Sequence, residues 1–201
     1  MRSTLGALLV LLATTATTRG EFLEVPAAYT PGESFDFVVA LPDVSDLANY
    51  SVSVNLVSAG GEAGVDFGFT DAVASPQGYV FASAVDFGSA VNTVSSTEER
   101  ITLTDFEFAD TNVTAPNNRL AIISVFTSVD QSDDLAISID TSSLVLRSFG
   151  IPSGDLVPGF DAIRDELAAV SVAIPAIPEP ATACLAALVA AACSLRRARL
   201  S

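Results

Sequence analysis

Three aspartates in the stretch SVDQSDDLA could together bind a metal ion. Asp130, Asp133 and Asp134 lie close together in a segment that the apolar runs on either side predict to be a loop. Carboxylate oxygens are hard ligands of the kind that calcium prefers. The spacing is not that of an EF-hand loop, and a solvated acidic turn explains the same residues. Calcium at these three aspartates is therefore one prediction, and a plain acidic turn is the alternative.

A second acidic group lies in LTDFEFADT. Period-two alternation places Asp105 and Glu107 on one face of a predicted strand, with Asp110 in the turn that follows. This group is a weaker calcium candidate, and a solvated strand face is the alternative.

The sequence lacks residues that most enzyme mechanisms require. The sequence contains no histidine, so Ser-His-Asp and Cys-His arrangements are excluded, along with the commonest general base. Two carboxylates could hydrolyse a glycosidic bond, but no motif selects a pair among the 24 acidic residues. We expect that the protein is not an enzyme.

The charges are segregated along the chain. Every carboxylate lies between Glu21 and Glu179, where only four arginines oppose 24 acidic residues, giving a net charge of −20. A field of that sign repels nucleic acid and anionic lipid and attracts cations. We therefore expect no nucleic-acid partner.

Residues 1–20 have the order of a secretory signal peptide. Arg2 precedes the apolar run LGALLVLLA, and small residues follow it, so we predict cleavage between Ala16 and Gly20. An N-terminal anchor is the alternative, but the run is shorter than the roughly 20 residues that span a bilayer.

The C-terminal segment 178–201 combines prolines, an apolar run and arginines. Residues 181–195 carry no charge and would form a helix of about 22 Å, which spans a bilayer only marginally. The arginines that follow could reach cytoplasmic headgroups, and the prolines before the run favour an extended peptide. Both cysteines, Cys184 and Cys193, lie inside the run, so the body has no disulfide.

This tail resembles the PEP-CTERM sorting signal of exported bacterial proteins. The matching residues are Pro178, Glu179, Pro180, Arg196, Arg197 and Arg199. The resemblance implies that an exosortase, a membrane-embedded cysteine protease, recognises and removes the tail. It also implies an inner-membrane intermediate, then a cell-surface or extracellular protein associated with exopolysaccharide. An ordinary C-terminal anchor is the alternative.

Short antiparallel strands are predicted in the body, residues 21–153. In SFDFVVAL and YSVSVNLVS every second residue is apolar, which is typical of strands with one buried face. The predicted inward residues are Phe35, Phe37, Val39, Leu41, Tyr50, Val52, Val54 and Leu56. Further strands are predicted at 79–85, 101–108, 119–129, 135–140 and 143–149. This number of strands favours a single two-sheet, all-β antiparallel sandwich.

The stretches TPGESFDFVVAL, LANYSVSVNL, AGVDFGF, RLAIISVFTS and LAISIDTSSLVL resemble cohesin-like and carbohydrate-binding-module-like sandwiches. This resemblance implies a jelly-roll or immunoglobulin-like fold used for adhesion, scaffolding or glycan contact. Residues 154–177 are predicted as a spacer, with a possible short helix around 160–170 and a proline-rich stalk.

The function predicted from these features is structural or adhesive, for an exported surface or matrix protein. A calcium-dependent glycan-binding or partner-binding module is the alternative. With no tryptophan and three tyrosines, a flat aromatic platform for crystalline polysaccharide is not expected.

Overall fold

The computed structural model describes residues 17–19, 22–149 and 155–177 of the chain. The predicted signal peptide, apart from residues 17–19, lies outside these residues, as does the predicted membrane segment 181–195. The sorting residues also lie outside: Pro178, Glu179, Pro180, Arg196, Arg197 and Arg199. Within the described part of the chain, no helix has the length and apolar character needed to cross a bilayer.

The described elements form two five-stranded sheets. In chain order they are β1 Thr17–Arg19, β2 Leu23–Pro26, β3 Phe35–Ala40, β4 Val44–Ser58, β5 Phe67–Ala74, β6 Gly88–Ser95, β7 Glu98–Val113, β8 Arg119–Thr127, β9 Leu135–Arg147, α1 Phe160–Ala168 and β10 Ser171–Ile174. Sheet A has the order β1-β2-β3-β8-β5, and sheet B has the order β10-β9-β4-β7-β6. All pairings between these strands are antiparallel. The predicted all-β, two-sheet antiparallel sandwich is confirmed.

Period-two alternation sets the core between the sheets. Every second residue of β4 from Tyr50 to Leu56 is fully buried. Because successive side chains of a strand point to opposite faces, the intervening Ser51, Ser53 and Asn55 lie on the outer face of sheet B. The inward orientation predicted for YSVSVNLVS is confirmed, and in β3 Phe37 and Val39 are buried as predicted.

Residues 79–85 do not form the predicted strand. Tyr79 makes a single bridge to Arg119, and the residues after it run as bends up to β6. The apolar pattern that predicted a strand here arises because Phe81 packs into the core. Its ring stacks on the Tyr50 ring at 5.8 Å and meets the Tyr79 ring edge-on at 6.0 Å. Apolar residues of a loop that covers the end of a core mimic the pattern of a half-buried strand.

The predicted strands 135–140 and 143–149 are one strand, β9. Ser51 pairs with Val145 and Ser53 pairs with Asp140, so a bulge between these pairs takes up the intervening residues. The Asp140 carboxylate stabilises the bulge by accepting hydrogen bonds from the Ser142 backbone N–H at 2.9 Å and hydroxyl at 2.6 Å. The polar interruption read as a turn is therefore a bulge within a strand.

The segment predicted as a spacer packs onto the sandwich. The possible helix is confirmed as α1, with Ile163 and Leu167 buried in the core. β10 pairs with β9 in sheet B. Tyr29 lies just after β2 of sheet A, and its backbone N–H donates to the Pro175 carbonyl at 3.0 Å. Residues 155–177 thus belong to the folded domain and link its two sheets.

Candidate functional site

The three predicted calcium ligands lie in the loop between β8 and β9. Asp130, Asp133 and Asp134 are all exposed. The Asp134 carboxylate accepts a long hydrogen bond, 3.4 Å, from the Ala176 backbone N–H. Within the described residues, no group of three or more acidic side chains is arranged to hold a metal ion. Calcium binding at these aspartates stays a prediction.

Buried polar residues hold this loop in place. The Gln131 side chain, 1% exposed, donates to the Ser58 hydroxyl at 2.9 Å and to the Asp133 carbonyl at 3.0 Å. The Tyr29 hydroxyl donates to the same carbonyl at 2.6 Å. Burial raises the pKa of the Tyr29 phenol, and the nearby Asp133 and Asp134 carboxylates raise it further. The order of the loop is therefore explained by its anchors, without an ion.

Asp105, from the weaker acidic group, is a buried structural acceptor. Its carboxylate accepts hydrogen bonds from the Tyr79 hydroxyl at 2.5 Å and from the Asp86 and Phe106 backbone N–H groups at 2.7 and 2.8 Å. The Tyr79 hydroxyl also lies 2.9 Å from the Tyr50 hydroxyl. Burial raises the pKa of both phenols, and for Tyr79 the Asp105 carboxylate adds to the rise. This network fastens the loop before β6 to the core.

A ladder of hydroxyl groups crosses the outer face of sheet B. The Ser53 hydroxyl, on β4, lies 2.8 Å from the Thr102 hydroxyl on β7 and accepts from the Ser143 hydroxyl at 3.0 Å. Although it points away from the core, Ser53 is only 1% exposed, because its neighbours on β7 and β9 close over it. Hydrogen-bonded cross-strand pairs of this kind stabilise a flat polar surface.

A charge cluster lies on one side of this ladder, toward the start of β7. Arg100 forms an ion pair with Asp140 at 3.1 Å and donates to the Asn55 side chain at 2.8 Å. Burial alone would raise the pKa of the Asp140 carboxyl, but the hydrogen bonds from Ser142 and the charge of Arg100 lower it below its usual value. Arg100 also lies 3.9 Å from the Glu98 carboxylate, so one cation holds two carboxylates in this cluster.

Aromatic residues lie on the other side of the ladder, toward the end of β7. Phe106 and Phe108 on β7 meet edge to face at 5.1 Å, and Phe108 is 66% exposed. Phe149, which follows β9, is 53% exposed, and its backbone N–H donates to the Asp110 carboxylate at 2.6 Å. Asp110 therefore ties the end of β7 to the residues after β9. We call the hydroxyl ladder with these aromatic residues the sheet B face; it comprises Ser53, Thr102, Ser143, Phe106, Phe108 and Phe149.

Sequence reasoning missed the sheet B face. The signal was present in TDFEFADT, where Phe106 and Phe108 alternate with Asp105 and Glu107. We expected the carboxylates to point to solvent. Instead Asp105 points inward to Tyr79, so the phenylalanines are on the outer side.

No protein-family model and no curated protein matches this chain. Among solved structures, the sixth cohesin from scaffoldin B of Acetivibrio cellulolyticus, in complex with a Cel5 dockerin, is 13% identical and has a TM-score of 0.44; the match covers 65% of this chain and 86% of that one. CaCohA2 from Clostridium acetobutylicum is 17% identical with a TM-score of 0.43, over 65% and 82% of the two chains. A non-cellulosomal cohesin from the archaeon Archaeoglobus fulgidus is 7% identical with a TM-score of 0.45, over 76% and 87%. Cohesins are thus among the solved domains to which this chain is similar.

Proposed function

We propose that the sandwich is a non-catalytic protein-binding module and that a partner protein docks on the sheet B face. The observation that carries this proposal is Phe108, which is 66% exposed at the end of a polar face. Large exposed aromatic side chains beside a polar surface are a recurrent feature of protein interfaces, where they supply much of the binding energy.

The rigidity of the sheet B face supports the same proposal. Ser53, Thr102 and Ser143 are held by one another across three strands, and Phe108 is braced by Phe106. A partner that docks on such a surface orders few side chains, so little of the interaction free energy is lost to conformational entropy.

The solved cohesin of Acetivibrio cellulolyticus was captured with a dockerin bound. The likeness of this chain to that structure concerns the fold, and the docking proposal rests on the exposed residues of the sheet B face. The partner is a protein with an apolar patch that can cover Phe108. Its surface is positively charged, which complements the net charge of −20 between Glu21 and Glu179.

The proposal includes export and sorting, which only the sequence supports. We place the protein at the cell surface or in the extracellular matrix, after an exosortase has recognised the tail through Pro178, Glu179 and Pro180 and removed it. Association with exopolysaccharide is part of this proposal. Intact-mass analysis of the exported protein tests it, since a retained C-terminal tail in a host that has the enzyme would contradict it.

Calcium-dependent binding through Asp130, Asp133 and Asp134 is the alternative. Thermal melting with and without millimolar calcium separates the two proposals. A melting temperature that does not change with calcium is expected for the anchored loop described above, whereas a clear rise would favour the alternative.

The docking proposal is tested by comparing three versions of the full-length chain as bait for proteins from the envelope and medium of the source organism. They are the wild type, Phe108→Ser and Val129→Ser. Val129 is 73% exposed in the loop after β8, so its substitution is a matched loss of exposed apolar surface away from the sheet B face. We expect at least one protein to be captured by the wild type and by Val129→Ser and to be lost with Phe108→Ser. The same set of proteins on all three baits would refute the proposal.

A further inference from the structure

The β6 strand is an open sheet edge, and it has none of the usual protection from Gly88 to Thr93, before its register with β7 shifts. Natural edge strands are kept from pairing by shortness, bulges, charged residues or proline. The edges formed by β1 and β10 have three and four residues. The β5 edge contains a bulge between Phe69 and Asp71. β6 has eight residues, GSAVNTVS, with no charge and no proline, and its register with β7 is regular until its last residues.

Both faces of β6 are open as well as its edge. Seven of its eight residues are exposed, including those that the register places opposite buried residues of β7. Val91 faces Ile101 in that register, yet it is 44% exposed. Within the described residues, no segment pairs with the free edge of β6.

Exposed valines cluster around this strand. Val91 and Val94 lie on it, and Val85 precedes it at 42% exposure. Val65 is 60% exposed in the loop before β5, and that loop reaches the end of β6, where the Ala63 backbone N–H donates to the Ser96 carbonyl at 2.8 Å. An added strand would find backbone partners along about 26 Å and apolar side chains beside them.

The charges at the two ends of β6 decide what can occupy it. Asp86 lies just before the strand, Glu98 lies just after it, and Glu62 lies beside Ala63 at the same end as Glu98. Arg100, the nearby cation, pairs with Asp140 at 3.1 Å and lies 3.9 Å from the Glu98 carboxylate. It therefore offsets part of the negative charge at that end, where the exposed Glu62 adds a second carboxylate. A second copy paired antiparallel to β6 would bring Asp86 of one chain toward Glu98 of the other, and like charges opposite each other are destabilising. An occupant with cations at both ends matches these carboxylates.

We infer that β6 takes up an extended segment of another protein as an added strand, with an uncharged β-branched core and Arg or Lys on both sides of that core. This site is distinct from the sheet B face and does not depend on it. Backbone hydrogen bonds supply the pairing, Val91 contacts alternate side chains of the segment, and Asp86 and Glu98 favour its basic ends.

The test uses two synthetic peptides with the same core of alternating Thr and Val, one with Arg pairs at both ends and one with Glu pairs. Each labelled peptide is titrated with the full-length chain, and fluorescence anisotropy gives the affinity. Two variants are compared with the wild type. Val91→Lys places a charge on β6, and Val73→Lys places the same charge on the β5 edge at a residue of similar exposure, 49%.

We expect the Arg-flanked peptide to bind the wild type and Val73→Lys alike. It should bind Val91→Lys more weakly, by up to about fivefold, as the loss of a favourable cross-strand pair implies. We expect the Glu-flanked peptide to bind the wild type more weakly than the Arg-flanked one. Because both valines are substantially exposed, unchanged thermal melting will show that the variants fold.

Three results would overturn the inference. The first is no binding of the Arg-flanked peptide to the wild type. The second is an equal loss of affinity in both variants, which would mean that only overall charge matters. The third is self-association of the chain in sedimentation that Val91→Lys abolishes, which would make a second copy the occupant of β6.

Discussion

Alkaline pH should unfold this protein through its tyrosines. The chain has three tyrosines and no tryptophan, and burial raises the pKa of Tyr29, Tyr50 and Tyr79 above the ordinary value of about 10. In the folded protein these phenols therefore stay protonated at a pH at which the unfolded chain has lost its phenolic protons. The stability that they contribute is fully present below about pH 10 and falls as the pH rises above it.

The size of the effect follows from the burial of each ring. Tyr50 is fully buried, so each pH unit above about 10 should lower the free energy of unfolding by about 1.4 kcal/mol through this residue alone. Tyr79 is only partly buried, so its contribution is smaller because solvent screens it. Against a typical domain stability of about 5–15 kcal/mol, a rise of a few pH units is enough to unfold the chain.

The assay is tyrosinate absorbance, measured together with circular dichroism during an alkaline titration. Without tryptophan the absorbance reports on the three tyrosines alone. We expect little tyrosinate near pH 10 and then a single step that coincides with the loss of β-structure. Phenols that titrate near pH 10 while the circular dichroism stays native would refute the burial of Tyr50 and its hydrogen bond to Tyr79. Tyr50→Phe should make the pH dependence shallower, and this variant is the control.

Two further variants test other parts of the account. Leu167→Ala removes a fully buried side chain of α1 and should lower the free energy of unfolding, measured in urea, by about 3–5 kcal/mol. Leu156→Ala, at a residue that is 50% exposed, should lower it much less. Equal small losses in the two variants would show that residues 155–177 are not part of the folded domain. Asp140→Asn should destabilise the protein by about 0.2–1 kcal/mol at pH 7 because the Arg100 pair is partly exposed. Since the folded-state pKa of Asp140 is lowered, this difference is present above about pH 3.9 and should vanish as the pH falls through the folded-state pKa; a difference that persists in acid would contradict it.

The fold class could be predicted because alternation is a local property of the chain. Tyr50 to Leu56 alternate with small polar residues, and one face of that strand had to be buried. β6 could not be predicted in the same way, because GSAVNTVS lies on an uncovered edge and carries little of the apolar signal that burial leaves in a sequence. β10 was missed because its short run lies among prolines that favour an extended stalk when read without the rest of the sheet.

The candidate site depends on contacts that the sequence does not contain. Alternation places Asp105 on the face of β7 that carries the buried Ile101 and Leu103. Its hydrogen-bond partner Tyr79, however, lies 26 residues away in a loop. The sequence does not show that this partner satisfies a carboxylate on the buried face, so TDFEFADT alone did not place Phe106 and Phe108 on the outer face. The acidic loop likewise owes its order to Tyr29, which contacts it from a distant part of the chain.

Site-specific photo-cross-linking on the folded protein tests the docking face most directly. A photoreactive residue is placed at Thr104, which is exposed on the outer side of β7 next to Phe106, or at Thr70, which is exposed on β5 in sheet A. The account predicts an adduct with a partner protein from Thr104 and none from Thr70. An adduct from Thr70 alone, or none from Thr104, would contradict it.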